Sequence, residues 1–206
     1  MVTPIEFGPI RVDPDLILRL QKYRRLEAVA PVVRDIARKM ASLAETLLTP
    51  RGWMSTTAVE AVGPDGRVQV AGGVEFQSRS LARLMQGATE VVLVVLTIGP
   101  ALERRAQELV NDEHLVEGLL LDTAGWAAID AMTKDLRGRM RVDAKGRGFK
   151  VTARMAPGFD DWGLEQQRPL FAAFDGADLS VRLTEACVML PRKSISGAYG
   201  LIPASP

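Results

Sequence analysis

Apolar residues fall at helical spacing after Pro31: Val32, Val33, Ile36, Met40, Leu43 and Leu47 share one face, the repeat of an amphipathic helix. An earlier helix is predicted to start at Asp13-Pro14, an N-cap followed by proline at the first helical position. Before it, residues 4–12 hold two short apolar pieces around Gly8-Pro9, an extended lead-in. Thr49-Pro50-Arg51-Gly52 ends the second helix, and the period then changes. Residues 53–62 are rich in Thr, Val and Ala, Gly63-Pro64-Asp65-Gly66 signals a turn, and residues 67–71 alternate, which predicts a β-hairpin. Gly72-Gly73 leads to a further extended piece at residues 74–76, and residues 80–85 predict a short helix. Residues 91–96 are apolar without interruption, so residues 90–98 read as a strand buried on both faces. Gly99-Pro100 ends that strand and opens a helix reaching residue 110.

Residues 113–141 predict one long helix, with Leu115, Leu119, Asp122, Trp126, Ile129 and Met132 near one face. Gly118 and Gly125 on this helix would let a neighbour approach closely. A polar loop at 143–148 precedes a strand over 149–155. A helix over 164–174, a turn at 176–178, and strands at 180–183, around 188 and at 195–202 complete the chain. The order predicts an α+β fold, a twisted, mostly antiparallel sheet flanked by helices. Residues 1–206 read as a single domain, with a helical N-terminal part (1–50) and an α+β body (51–206).

Composition narrows the chemistry. Hydrophobic residues make up 47% and charged residues 25%, an ordinary globular balance. A formal net charge of +1 gives no global pull toward nucleic acid or an anionic membrane. Aromatics are only 5%, and no basic stripe is interleaved with rings, so single strands lack stacking platforms. One cysteine, Cys187, and one histidine, His114, are too few for a Cys/His zinc site, and no acid–base pair stands out as catalytic. The first residues carry no charged stretch followed by an apolar core, and the longest apolar run is too short to span a bilayer. No membrane association is expected, and the cytoplasm is the expected address.

The segment Arg154-Met155-Ala156-Pro157-Gly158-Phe159 stands out. Proline fixes one dihedral, glycine admits a ligand close to the main chain, and the arginine fork suits a carboxylate. Read alone, it is either a strand–turn–helix corner or a ligand-contacting backbone loop. Asp160 or Asp161 is placed to cap the following helix. Arg154 would equally suit a pairing with Glu185, and Glu185 a surface pairing with Lys193.

Arg154, Pro157, Gly158 and Phe159 are followed in order by Leu183-Thr184-Glu185, Met189, Pro191, Ser194, Ser196, Gly197 and Tyr199. This ordered set resembles the activation domain of cobalamin-dependent methionine synthase over roughly residues 150–200, as a stand-alone member. The resemblance implies S-adenosylmethionine as ligand, with Arg154 on its carboxylate and the backbone around Ala156 and Gly158 bonding the adenosyl portion. Phe159 takes the place of a ring that is usually tyrosine and lacks the hydroxyl. The family's acidic residue on the long helix falls at Trp126, with Asp122 and Asp130 one turn to either side.

The implied role is that of an accessory to a corrinoid-dependent methyltransferase. Cobalamin would be carried by a partner corrinoid-binding protein or methyltransferase, and an electron would come from a reductase. Reductive methylation would then restore methylcobalamin. The alternative is a non-enzymatic protein that docks on a corrinoid protein without binding S-adenosylmethionine. Arg137, Arg139, Arg141, Lys145, Arg147 and Lys150 form a basic cluster that reads as a solvated helix end or as a docking patch for an acidic partner.

Overall fold

A computed structural model describes residues 2–174 and 176–204. Its elements run β1 (Val2–Ile5), α1 (Pro14–Leu20), α2 (Pro31–Leu47), β2 (Arg51–Val62), β3 (Arg67–Val70), β4 (Val74–Gln77), α3 (Arg79–Leu84), β5 (Glu90–Thr97), α4 (Ala101–Asn111), α5 (Leu115–Gly146), β6 (Phe149–Val151), α6 (Gln167–Ala172), β7 (Arg182–Leu183), β8 (Met189–Leu190) and β9 (Ser194–Pro203). Among the described residues the main sheet has seven strands, ordered β4-β3-β2-β5-β9-β6, with β1 beside β2. Every pairing is antiparallel. The fold is therefore α+β, an antiparallel sheet flanked by helices. The lead-in at the N-terminus is strand β1, and it takes the first half of β2 while β3 takes the second. A register shift between Val59 and Ala61 marks the changeover.

The uninterrupted apolar run of β5 has a structural cause. Val92, Val94 and Leu96 join a core under α1, α2, α4 and α5. Val91, Leu93 and Val95 join a second core with Trp53, Val68, Phe76, Trp162 and Leu170 on the other face. An antiparallel strand covered on both sides must be apolar at every position. In the second core the Phe76 and Trp162 rings meet edge to face at 5.4 Å.

Helix α5 corrects the expected face. Leu115, Leu119 and Trp126 are exposed, while Gly118, Ala124, Gly125, Ala127 and Ala128 are buried. Where α5 meets α4, the helices pack so closely that only glycine fits at two positions. A Cβ on Gly118 would lie 2.6 Å from Val110 Cγ2, and one on Gly125 would lie 2.9 Å from Leu102 Cδ2. The close approach read from these glycines is present, and the buried face combines them with alanines and with Leu120, Leu121 and Leu136 instead of Leu115, Leu119 and Trp126. Ile129 and Met132 are buried as expected.

Several boundaries also move. Strand β2 starts at Arg51. Helix α5 runs to Gly146, through most of the expected polar loop. Strand β6 stops at Val151, and only an isolated bridge between Met155 and Ala198 continues its pairing. The expected 164–174 helix is a 3-10 turn, Leu164–Gln166, followed by the short α6. Cys187 is buried as expected, but in the β7–β8 turn at positive φ (60°), not on a strand.

Candidate functional site

Gly197 explains how the 154–159 segment is held. A Cβ there would lie 2.7 Å from the Met155 carbonyl oxygen and 2.9 Å from Arg154 Cγ. Without it, the segment lies flat on β9: the Met155 N–H donates to the Ala198 carbonyl at 3.0 Å, and the Ala198 N–H donates back at 2.8 Å. The Arg154 stem runs over Gly197, and its Nη1 donates to the Ser196 carbonyl at 2.7 Å. The two serines of Ser-x-Ser-Gly are structural. Ser194 Oγ donates within reach of Thr97 Oγ1 (2.9 Å) and the Pro191 carbonyl (2.6 Å), and Ser196 Oγ donates to Gln167 Oε1 (2.9 Å).

Ala156-Pro157-Gly158-Phe159 forms a tight turn. The Phe159 N–H donates to the Ala156 carbonyl at 3.2 Å, and Gly158 has φ +91°. Proline second and a positive-φ glycine third are the residues a type II turn requires. The Gly158 N–H is used inside the chain, donating to the Trp162 carbonyl at 2.7 Å. Among the described residues the Ala156 N–H and the Gly158 carbonyl have no hydrogen-bond partner. Asp161 does not cap the following helix, as expected, but caps the earlier α3. Its carboxylate accepts from Ser78 Oγ (2.7 Å), the Arg79 N–H (2.8 Å) and the Ser80 N–H (3.1 Å). The Ser78 bond first, then the backbone donors, hold its pKa far below the usual carboxylate range.

A cleft of about 450 Å³ opens between this segment and α5. Trp126, Ile129, Asp130 and Thr133 form the helix wall, and Arg154, Ala156, Pro157 and Phe159 the opposite one. Val188 and Met189 close one side, and residues 194–196 form the floor. The hairpin carrying the first two is tied down by Leu183-Thr184-Glu185. Thr184 bonds the Val188 backbone through both main chain and hydroxyl, and the Glu185 carbonyl accepts from Arg168. Trp126 (43% exposed) and Phe159 (63% exposed) both present rings to solvent here.

Charge is unevenly satisfied around the cleft. Arg154 is half-buried and, among the described residues, has no carboxylate partner. Burial lowers its pKa, with Tyr199 acting in the opposite direction. The Tyr199 hydroxyl is buried without a hydrogen-bond partner among the described residues. Burial raises its pKa, offset by Arg154 and then Arg137. Lys193, only 5% exposed, donates to Asp122 at 2.7 Å and sits 4.6 Å from the centre of the Trp126 ring. The expected Glu185 pairings with Arg154 and Lys193 are both absent. Arg154 bonds a carbonyl instead, and Lys193 is turned inward to α5. Gly99, just before α4, packs against the Thr49 side chain.

The structure thus brings Arg154, Ala156 and Phe159 to one cleft. Gly158 shapes the turn but does not line it. Sequence reasoning placed Trp126 at the helix position aligned with the family's acid but missed Lys193 as its neighbour. The available signal was that residues 122, 126 and 130 share one helix face. Of these, Asp130 lines the cleft and pairs with Lys134 at 2.6 Å.

The basic cluster is partly spent internally. Arg139 pairs with Asp135 (2.8 Å) and covers Phe7, and Arg147 pairs with Glu90 (2.7 Å) and covers Phe149. Among the described residues no helix is long and apolar enough to cross a membrane, and no group of three or more His, Cys, Asp or Glu is poised to hold a metal ion.

No family model matches the sequence, and no curated protein matches it. A solved structure does match in three dimensions: the MetH reactivation domain bound to AdoHcy, with a TM-score of 0.69 at 15% identity, over 100% of this chain and 80% of that one. At that identity the likeness is one of fold.

Proposed function

We propose that residues 1–206 form one activation-domain-like domain that binds S-adenosylmethionine and supports reductive reactivation of a corrinoid protein. The observation that carries this reading is Arg154, a half-buried guanidinium that has no carboxylate partner among the described residues and lines a cleft of small-molecule size. A desolvated cation of this kind favours an anionic group that would complete it. The fold neighbour's ligand, AdoHcy, supports the same assignment. The rest of the cleft fits an adenosyl amino acid. Arg154 would take the carboxylate, the Ala156 N–H and the Gly158 carbonyl would bond the adenosyl portion, and Phe159 would border it.

When bound, S-adenosylmethionine would supply the methyl group. With one electron from a reductase, that methyl would convert Co(II) on the partner's corrinoid to methyl-cobalt, leaving S-adenosylhomocysteine. The chain's own contribution is positioning, not acid–base catalysis. The setting would be cytoplasmic, and the partners a corrinoid-binding protein or methyltransferase and its reductase.

One observation favours a second reading, a non-enzymatic protein that docks without the ligand: Trp126 stands where the activation domain carries an acid. A reactivation assay separates the two. Methyl-cobalt absorbance should appear when Co(II) corrinoid protein, a reductase, S-adenosylmethionine and this chain are combined. An unchanged rate without the chain contradicts the first reading.

A further inference from the structure

We infer that Trp126 is the ligand-stacking wall of this cleft, recognising the flat adenine by its indole face. The inference rests on the S-adenosylmethionine reading and identifies what replaces the helix acid. Lys193 covers one side of the indole at 4.6 Å, and Asp122 holds the Lys193 ammonium at 2.7 Å. Trp126 is nevertheless 43% exposed and lines the cleft. The pair therefore acts as a positioning device: it fixes the ring from behind and leaves its front to a ligand.

Spacing selects the adenine over the amino-acid end. Arg154 lies over Gly197, and Trp126 lies against Lys193. Those two positions are four residues apart, so their Cα atoms lie no more than about 14 Å from each other. An extended adenosyl amino acid is short enough to lie within that limit. With its carboxylate at Arg154, such a ligand would bring its base to Trp126. The turn backbone would bond the edge of the base and Trp126 would cover its face. Stacking on a ring is tolerant of charge and needs no acid.

The test uses the indole itself. Of the three tryptophans, Trp53 (8% exposed) and Trp162 (0%) are buried, so Trp126 alone reports on the cleft. Emission excited at the red edge of the indole band is followed while S-adenosylmethionine, adenosine or methionine is added, with calorimetry in parallel. Saturable quenching by S-adenosylmethionine and by adenosine, but not by methionine, is expected. Trp126→Leu should weaken S-adenosylmethionine binding about tenfold, and Trp126→Phe should restore most of it. Calorimetric binding with unchanged wild-type emission overturns the inference and leaves the function reading standing, as does Trp126→Leu binding at wild-type strength. No calorimetric binding at all overturns both.

Discussion

Lys193 and Arg154 are two cations at the same α5–β9 seam, and they are treated in opposite ways. Lys193 is nearly fully buried and satisfied, with a carboxylate at 2.7 Å and an aromatic face beside it. Arg154 is half-buried and, among the described residues, has only the Ser196 carbonyl as a hydrogen-bond partner. A buried charge without its counterion is costly, so the first arrangement belongs to the fold. The second leaves a guanidinium lining a cleft, the arrangement on which the proposed ligand role rests. Removing the counterion of the first should destabilise the protein. Removing the second should spare the fold and abolish binding.

The most damaging change should be Gly197→Ala, because it strikes both. The new methyl would lie 2.7 Å from a backbone oxygen, which cannot swing aside. A loss of about 2–3 kcal/mol in urea unfolding is expected, together with displacement of Arg154 and loss of ligand binding. Asp122→Ala should follow. It leaves the Lys193 ammonium buried, but Asp122 itself is 45% exposed, so the cost is discounted to about 2 kcal/mol. Lys193→Met, which removes the charge and keeps the stem, should cost less than Asp122→Ala in the same melt. If the two orders reverse, Lys193 is not held by its counterion.

Smaller effects come from the α3 cap. Ser78 accepts from the Leu81 N–H at 3.0 Å and donates to Asp161, so Ser78→Ala should cost about 1 kcal/mol. Asp161 sets a pH dependence. Its folded pKa is depressed, so its stabilisation is present above the ordinary aspartate value and is lost as pH falls through and below it. Acid unfolding of Asp161→Asn should show a shallower loss across that range than wild type. Arg154→Ala should have the smallest effect on stability, below about 1 kcal/mol in thermal melts.

The same contrast shows what could be read from residues alone. The α+β order, the hairpin, the buried β5 and the 154–159 turn were legible because they depend on period and turn chemistry over short stretches. The α5 face was misjudged because its buried side mixes glycine and alanine with Leu120, Leu121 and Leu136, so the exposed Leu115, Leu119 and Trp126 gave an equally apolar stripe. The partner of Asp161 was missed because α3 lies about eighty residues earlier, as the 82-residue separation of the Arg79 bond shows. Lys193 was taken for a surface residue because nothing local reveals that Gly125 leaves room for its stem, whose Cε would be 3.1 Å from an added Cβ. Arg154, Ala156 and Phe159 were singled out through the resemblance and lie together on one cleft, and Gly158 stood out because the turn requires it.

The most direct test is calorimetric titration of S-adenosylmethionine into wild type and Arg154→Ala, each checked for an unchanged melting temperature. Saturable heat in wild type and binding about a hundredfold weaker in the folded variant are predicted. Equal binding by the two proteins, or no heat from wild type, would contradict the assignment of Arg154 as the ligand's anchor.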